Sequence, residues 1–146
     1  MNARTAASAG GIMDQLVNQT IRKFELSEDG MNLYITTDEY CYHYVTEGDC
    51  CAHAYILPPA DEDVMAVIGH KVVKVTREQL DQQSNGILDV VDTEFISIQT
   101  HAGDLEFEMR TEHNGYYCGY ITFVGQEKVW PVFDDIREEA RIEYNN

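Results

Sequence analysis

Alternation of apolar and polar residues is the feature that most narrows what this chain can fold into. In the run LEFEMR, Leu105, Phe107 and Met109 fall on one side of an extended chain, with Glu106, Glu108 and Arg110 on the other. Successive side chains of a strand point to opposite faces, so such a run is a strand with one face in a core and one in water. NLYITT (Leu33, Ile35), YCYHYV, KVVKV, FISIQT (Ile96, Ile98) and GYITFV read the same way. Helical signals are fewer. Asp61-Glu62-Asp63 opens a short apolar segment that Gly69 closes, which predicts a helix near 61–68 with an acidic first turn and a terminal glycine. Pro131, followed by the apolar stripe Val132, Phe133, Ile136 and Ala140, predicts another over 131–143.

Laid end to end, these elements say the same thing twice. LVNQTIRKFEL (16–26) aligns with VIGHKVVKVTR (67–77), and NLYITTDEYCYHYVTE (32–47) with FISIQTHAGDLEFEMRTE (95–112), both ending in Thr-Glu. GDCCAHAYIL (48–57) falls against NGYYCGYITFV (114–124), and DEDV (61–64) against FDDI (133–136). A period of about 60 residues is too long for a solenoid and fits two fused copies of one small unit. At 146 residues the chain is sized for one domain. The expected fold is therefore a single α+β domain, predominantly antiparallel β, made of two repeated four-strand units with two or three short helices. The expected organisation is a flexible arm over 1–11, a first unit over 12–66 and a second unit with a C-terminal helix over 67–146. The segment 78–92, which contains Ser-Asn-Gly, is the expected exposed linker.

Charge sets the kind of partner. Twenty-six Asp and Glu against ten Lys and Arg give a formal net charge of −16. Phosphate recognition needs clustered Lys and Arg, so direct nucleic-acid binding is not expected. No apolar run reaches the roughly 20 residues of a membrane span, and the opening MNARTAASAGG lacks the apolar stretch of a secretory signal. An acidic surface keeps a small protein soluble, and it can also attract a basic protein.

TEGDCCAHAYI (46–56) raises the question of chemistry. Cys41-x-His43 and Cys51-x-His53 each place a thiol and an imidazole on one strand face, and four such groups can form a tetrahedral zinc site. Their spacing matches no zinc ribbon or finger, and the aligned second half supplies Cys118 without a C-x-H pair. A catalytic thiol with His43 or His53 as base would need an electropositive setting, which this acidic chain does not offer. Adjacent cysteines close only a strained ring, and disulfides are rare in the cytosol. Cys50 and Cys51 are accordingly read as packing residues near a tight turn led by Gly48-Asp49, with no cofactor expected. No Gly-rich phosphate loop, G-x-S-x-G or H-E-x-x-H occurs, and no enzymatic activity is expected. Tyr40, Tyr42 and Tyr44 alternate on one strand face, and Tyr116, Tyr117 and Tyr120 cluster in the other half. Exposed, such rows bind partners; buried, they are β core.

Gly48-Asp49-Cys50-Cys51, Glu112-His113-Asn114-Gly115-Tyr116-Tyr117 and the Val67-Ile68-Gly69 lead-in between them carry a resemblance. They are similar to a domain-of-unknown-function family of small bacteriophage and prophage proteins with an Asp-Cys-Cys turn and an Asn-Gly-Tyr-Tyr turn. The resemblance covers residues 16 to 124. The chain departs from it after the cysteines, where Ala52-His53-Ala54 replaces a polar, acidic continuation. It implies phage or prophage origin and no particular chemistry. The resulting expectation is a non-enzymatic, acidic accessory protein in the bacterial cytoplasm that binds and inhibits a host macromolecule, in the manner of an anti-defence protein. The expected partner is a basic host or phage protein, met through Glu106, Glu108, Asp134, Asp135, Tyr116 and Tyr117. The alternatives are a virion-associated structural protein and a small Cys/His metal-binding protein. Oligomeric state stays open, a homodimer included.

Overall fold

Leu33 and Ile35 point to one side of their strand, Tyr42 and Tyr44 to one side of the next, and pairing the two makes a single apolar face. The structure is a computed structural model and describes residues 4–7, 13–84, 90–113 and 118–129. The described residues form nine strands: β1 (Arg4–Ala7), β2 (Ile21–Leu26), β3 (Asn32–Thr37), β4 (Tyr40–Gly48), β5 (His53–Ile56), β6 (Val72–Ser84), β7 (Val90–Thr100), β8 (Asp104–His113) and β9 (Gly119–Lys128). Among the described residues one helix, α1 (Asp61–Val67), and a 3-10 turn at Asp14–Leu16 accompany them. No helix among the described residues is long and apolar enough to cross a membrane.

The strands form one five-stranded sheet, ordered β1-β6-β7-β8-β5, and one four-stranded sheet, ordered β2-β3-β4-β9. Every pairing is antiparallel. In each half, three consecutive strands make a meander and the fourth leaves for the other sheet. β5 pairs with β8, and β9 returns to pair with β4. The inner faces of both sheets feed one cluster, in which Leu33, Ile35, Tyr44 and Ile121 of one sheet share the core with Val72, Ile98, Leu105 and Phe107 of the other. Phe24 of β2 meets Phe107 of β8 edge to face, with centroids 5.6 Å apart, a contact of about 0.5–1.5 kcal/mol beyond the area it buries.

The domain is single and mostly antiparallel β, as the alternation predicts, and both expected hairpins, 31–47 and 94–112, are present. α1 occupies the expected position. Its first turn holds Asp61, Glu62 and Asp63, and Gly69 just past its end takes φ +85, a left-handed value that glycine adopts without cost. The helix expected over 131–143 lies outside the described residues. Two expectations are corrected. Arg4–Ala7, expected within a loose arm, form β1 along the edge of β6. The stretch 78–92, expected as a linker, is mostly strand, because β6 continues to Ser84 and β7 starts at Val90. Ladder bonds to β7 and β1 take up the backbone of 78–84, and residues 85–89 of the expected linker lie outside the described residues.

The tightest point is where the exchanged strands cross. Gly119, the first residue of β9, pairs with Gly48 and lies against β8 and β5. A Cβ there would fall on the Thr111 hydroxyl and within 2.9 Å of the Ala54 Cβ. Beside it, the Thr46 hydroxyl of β4 donates to the Ala54 carbonyl of β5 at 2.7 Å. Gly119→Ala is therefore expected to destabilise by about 1–3 kcal/mol through overpacking, whereas Gly125→Ala, whose Cβ would meet nothing within 4 Å, should change stability by less than about 0.5 kcal/mol. Urea unfolding of the two variants checks this, and equal midpoints would show that the crossing is slack.

Candidate functional site

The outer face of β8 carries the densest regular charge among the described residues. Leu105, Phe107, Met109 and Thr111 are buried, which turns Asp104, Glu106, Glu108, Arg110 and Glu112 to the opposite face. On one strand these groups repeat every ~6.8 Å, twice the rise per residue. The row is held in place. Arg110 Nη2 donates to Glu108 Oε1 at 3.2 Å, and the Tyr55 hydroxyl on β5 donates to Glu112 Oε2 at 2.6 Å. That bond to a carboxylate raises the Tyr55 pKa, because ionising the phenol would set two anions face to face. Neighbouring strands extend the face: Phe95 stands opposite Glu108 on β7, and Glu78 opposite Phe95 on β6. Glu106 and Glu108, expected as partner-binding, thus belong to one rigid acidic face, whereas Asp134, Asp135, Tyr116 and Tyr117 lie outside the described residues.

The tyrosines divide between core and surface. Tyr42 and Tyr44 are buried in the shared core, where desolvation raises both phenol pKa values, and Tyr40 packs against them. Tyr34 and Tyr120 are exposed. The Tyr34 ring stacks on His43 at 4.3 Å, and His43 Nε2 lies 2.9 Å from Asn32 Oδ1. Opposite them, β9 carries one residue more than β4 between Phe123 and Gly125, so Val124 bulges into solvent. Together Tyr34, Cys41, His43 and residues 124–127 line a half-open groove of about 320 Å³ on this face.

The four candidate metal ligands are not brought together. Cys41 and His43 share the outer face of β4, as their spacing requires, whereas Cys51 lies in the turn after β4 and His53 on β5 in the other sheet. Among the described residues no group of three or more His, Cys, Asp or Glu is placed to hold a metal ion. All four cysteines are free thiols. The expectation that Cys50 and Cys51 pack in the core is corrected: both are exposed. The tight turn led by Gly48-Asp49 is there, but it projects its side chains outward, with Cys50 at φ +39.

One polar cluster had no counterpart in the sequence reading. Asp92 and Glu94 fall in phase with Ile96 and Ile98, on the inner face of β7. Glu94, its side chain 6% exposed, accepts from Arg77 Nε at 2.6 Å. Asp92 Oδ2 lies 2.8 Å from Nε2 of His113, whose side chain is buried. The available signal was polar residues continuing an inward phase along a strand. Arg77→Met would leave the Glu94 carboxylate buried without its cation and is expected to cost about 3 kcal/mol, with the double variant Arg77→Met/Glu94→Leu recovering most of it. A double-mutant cycle in urea measures this; additive costs would mean that the pair is not coupled.

No curated protein and no solved structure matches the chain. A family model does, over residues 14–123, which span both sheets from the 3-10 turn to β9, and the chain thereby belongs to the family described as a domain of unknown function (DUF7448).

Proposed function

We propose that the protein is a non-enzymatic binding protein, of phage or prophage origin, whose acidic face engages a basic protein of the host and blocks the groove with which that protein holds nucleic acid. The observation that carries this reading is the ordered carboxylate row of β8. Asp104, Glu106, Glu108 and Glu112 share one strand face, and the chain as a whole has a net charge of −16. Carboxylates at a regular spacing on a backbone fixed by its ladder to β7 along the whole strand, and to β5 from Met109 to Glu112, lose little backbone freedom on binding. Their summed field steers a basic partner, and an interface of this type weakens as salt screens it. The resemblance to phage and prophage proteins supplies the biological setting.

A second reading rests on the other sheet. Tyr34, Val124 and Tyr120 are exposed large side chains on its outer face, a composition that suits assembly into a particle. Mass spectrometry of purified virions separates the readings, since a structural component is found there and an intracellular inhibitor is not.

The test of the main reading is capture of the partner from host lysate, followed by titration in low and high salt. Glu106→Gln/Glu108→Gln is expected to weaken binding about tenfold, the equivalent of about 1.4 kcal/mol, and raised salt should weaken the wild type by at least as much. A partner whose affinity ignores both salt and these charges rules the acidic face out.

A further inference from the structure

The turn between β4 and β5 carries two exposed thiols, Cys50 and Cys51, whose sulfurs lie 3.2 Å apart. Backbone bonds pin that turn at both ends. Ala52 N–H donates to the Asp49 carbonyl at 2.7 Å, and Asp49 N–H donates to the Cys118 carbonyl at 2.9 Å. Cys50 holds a left-handed backbone, φ +39, which non-glycine residues adopt rarely and chiefly where the surroundings impose it. Gly48 before it admits no Cβ, which would fall on the Ala52 carbonyl. Packing does not account for two side chains in solvent.

Zinc does not account for them either. Two thiolates on one tetrahedral zinc are about 3.8 Å apart, from Zn–S bonds of about 2.3 Å, and the described residues place no third ligand with them. Sulfurs 3.2 Å apart, on adjacent residues and open to solvent, suit chemistry that needs only two thiols, which is exchange with a disulfide.

We propose that Cys50 and Cys51 are a reversible redox site that reacts with low-molecular-weight disulfides. The Cys50 thiolate attacks one sulfur of oxidised glutathione and expels the other as a glutathione thiolate. The Cys51 thiolate then attacks the Cys50 sulfur of the mixed disulfide, closing a Cys50–Cys51 bond and expelling the second glutathione. Two protein thiols are oxidised, one disulfide is reduced to two thiols, and the protons pass through solvent. The pair is symmetric in the order of attack, since either sulfur can donate to the other, and the same two steps with the residues exchanged give the same products. Because a ring closed by adjacent cysteines is strained, excess reduced thiol reopens it.

The test is a thiol count and intact mass of the purified chain after incubation with oxidised glutathione. The expected result is a fall from four free thiols to two with no glutathione retained, restored by reduced glutathione. In Cys41→Ser/Cys118→Ser the remaining pair should disappear at an unchanged rate. In Cys51→Ser the reaction should stop at one glutathione attached to Cys50, with the far-UV circular dichroism unchanged as evidence of folding. Four thiols surviving, or glutathione retained on the wild type, overturns the proposal. So does a loss of thiols that requires Cys118, whose carbonyl is bonded to the same turn.

Discussion

Everything in this fold depends on how closely the two sheets approach at the point where their fourth strands cross. Face-packed sheets normally keep about 10 Å between them. Here the start of β9 lies against β8 and β5, and only the missing side chain of Gly119 leaves room for Thr111 and Ala54. Thr46 closes the same junction by bonding the Ala54 carbonyl, so a polar group of one sheet satisfies backbone of the other inside the core. A bulky residue at any of these positions would push the sheets apart and take with it the ladder bonds of both exchanged strands.

This junction leaves two unlike outer faces. The face of the five-stranded sheet is charged and braced by Arg110 and Tyr55. The face of the four-stranded sheet is aromatic and grooved, with Tyr34 stacked on His43 beside the Val124 bulge. The cysteine turn lies at the chain's passage from one sheet to the other, and its anchor to Cys118 connects it to the return passage as well. The chemistry-bearing residues thus follow the topology, with charge on one sheet, rings on the other and thiols where the chain changes sheets.

Local pattern made much of this legible. Leu33, Ile35, Leu105, Phe107 and Met109 announced their strands by alternation, and Asp61-Glu62-Asp63 with Gly69 announced α1 by its ends. What no local pattern encodes is which edge a strand joins. His53–Ile56 has the same composition whether it pairs with β4 or crosses to β8, and only the global packing decides. The end of β6 read as a loop because residues 78–84 lack the apolar alternation of a strand, whereas the ladder to β7 and β1 is made by backbone groups that do not depend on that pattern. Cys50 and Cys51 misled for a related reason: cysteine is usually buried, and the backbone of a tight turn overrode that preference.

The exchange of fourth strands also governs how the chain must be made. β5 ends at Ile56, and its partner β8 begins at Asp104. At synthesis rates of about 5–20 residues per second, this strand waits roughly 2–10 s on the ribosome with its ladder groups unsatisfied. The free edge of β4 waits longer still, until Gly119–Lys128 has emerged. The nascent amino-terminal half therefore presents two open β-edges together, the condition under which strands pair with the wrong chain. Over residues 1–60 eight Asp and Glu stand against three Lys and Arg, and this excess of like charge opposes pairing between neighbouring nascent copies.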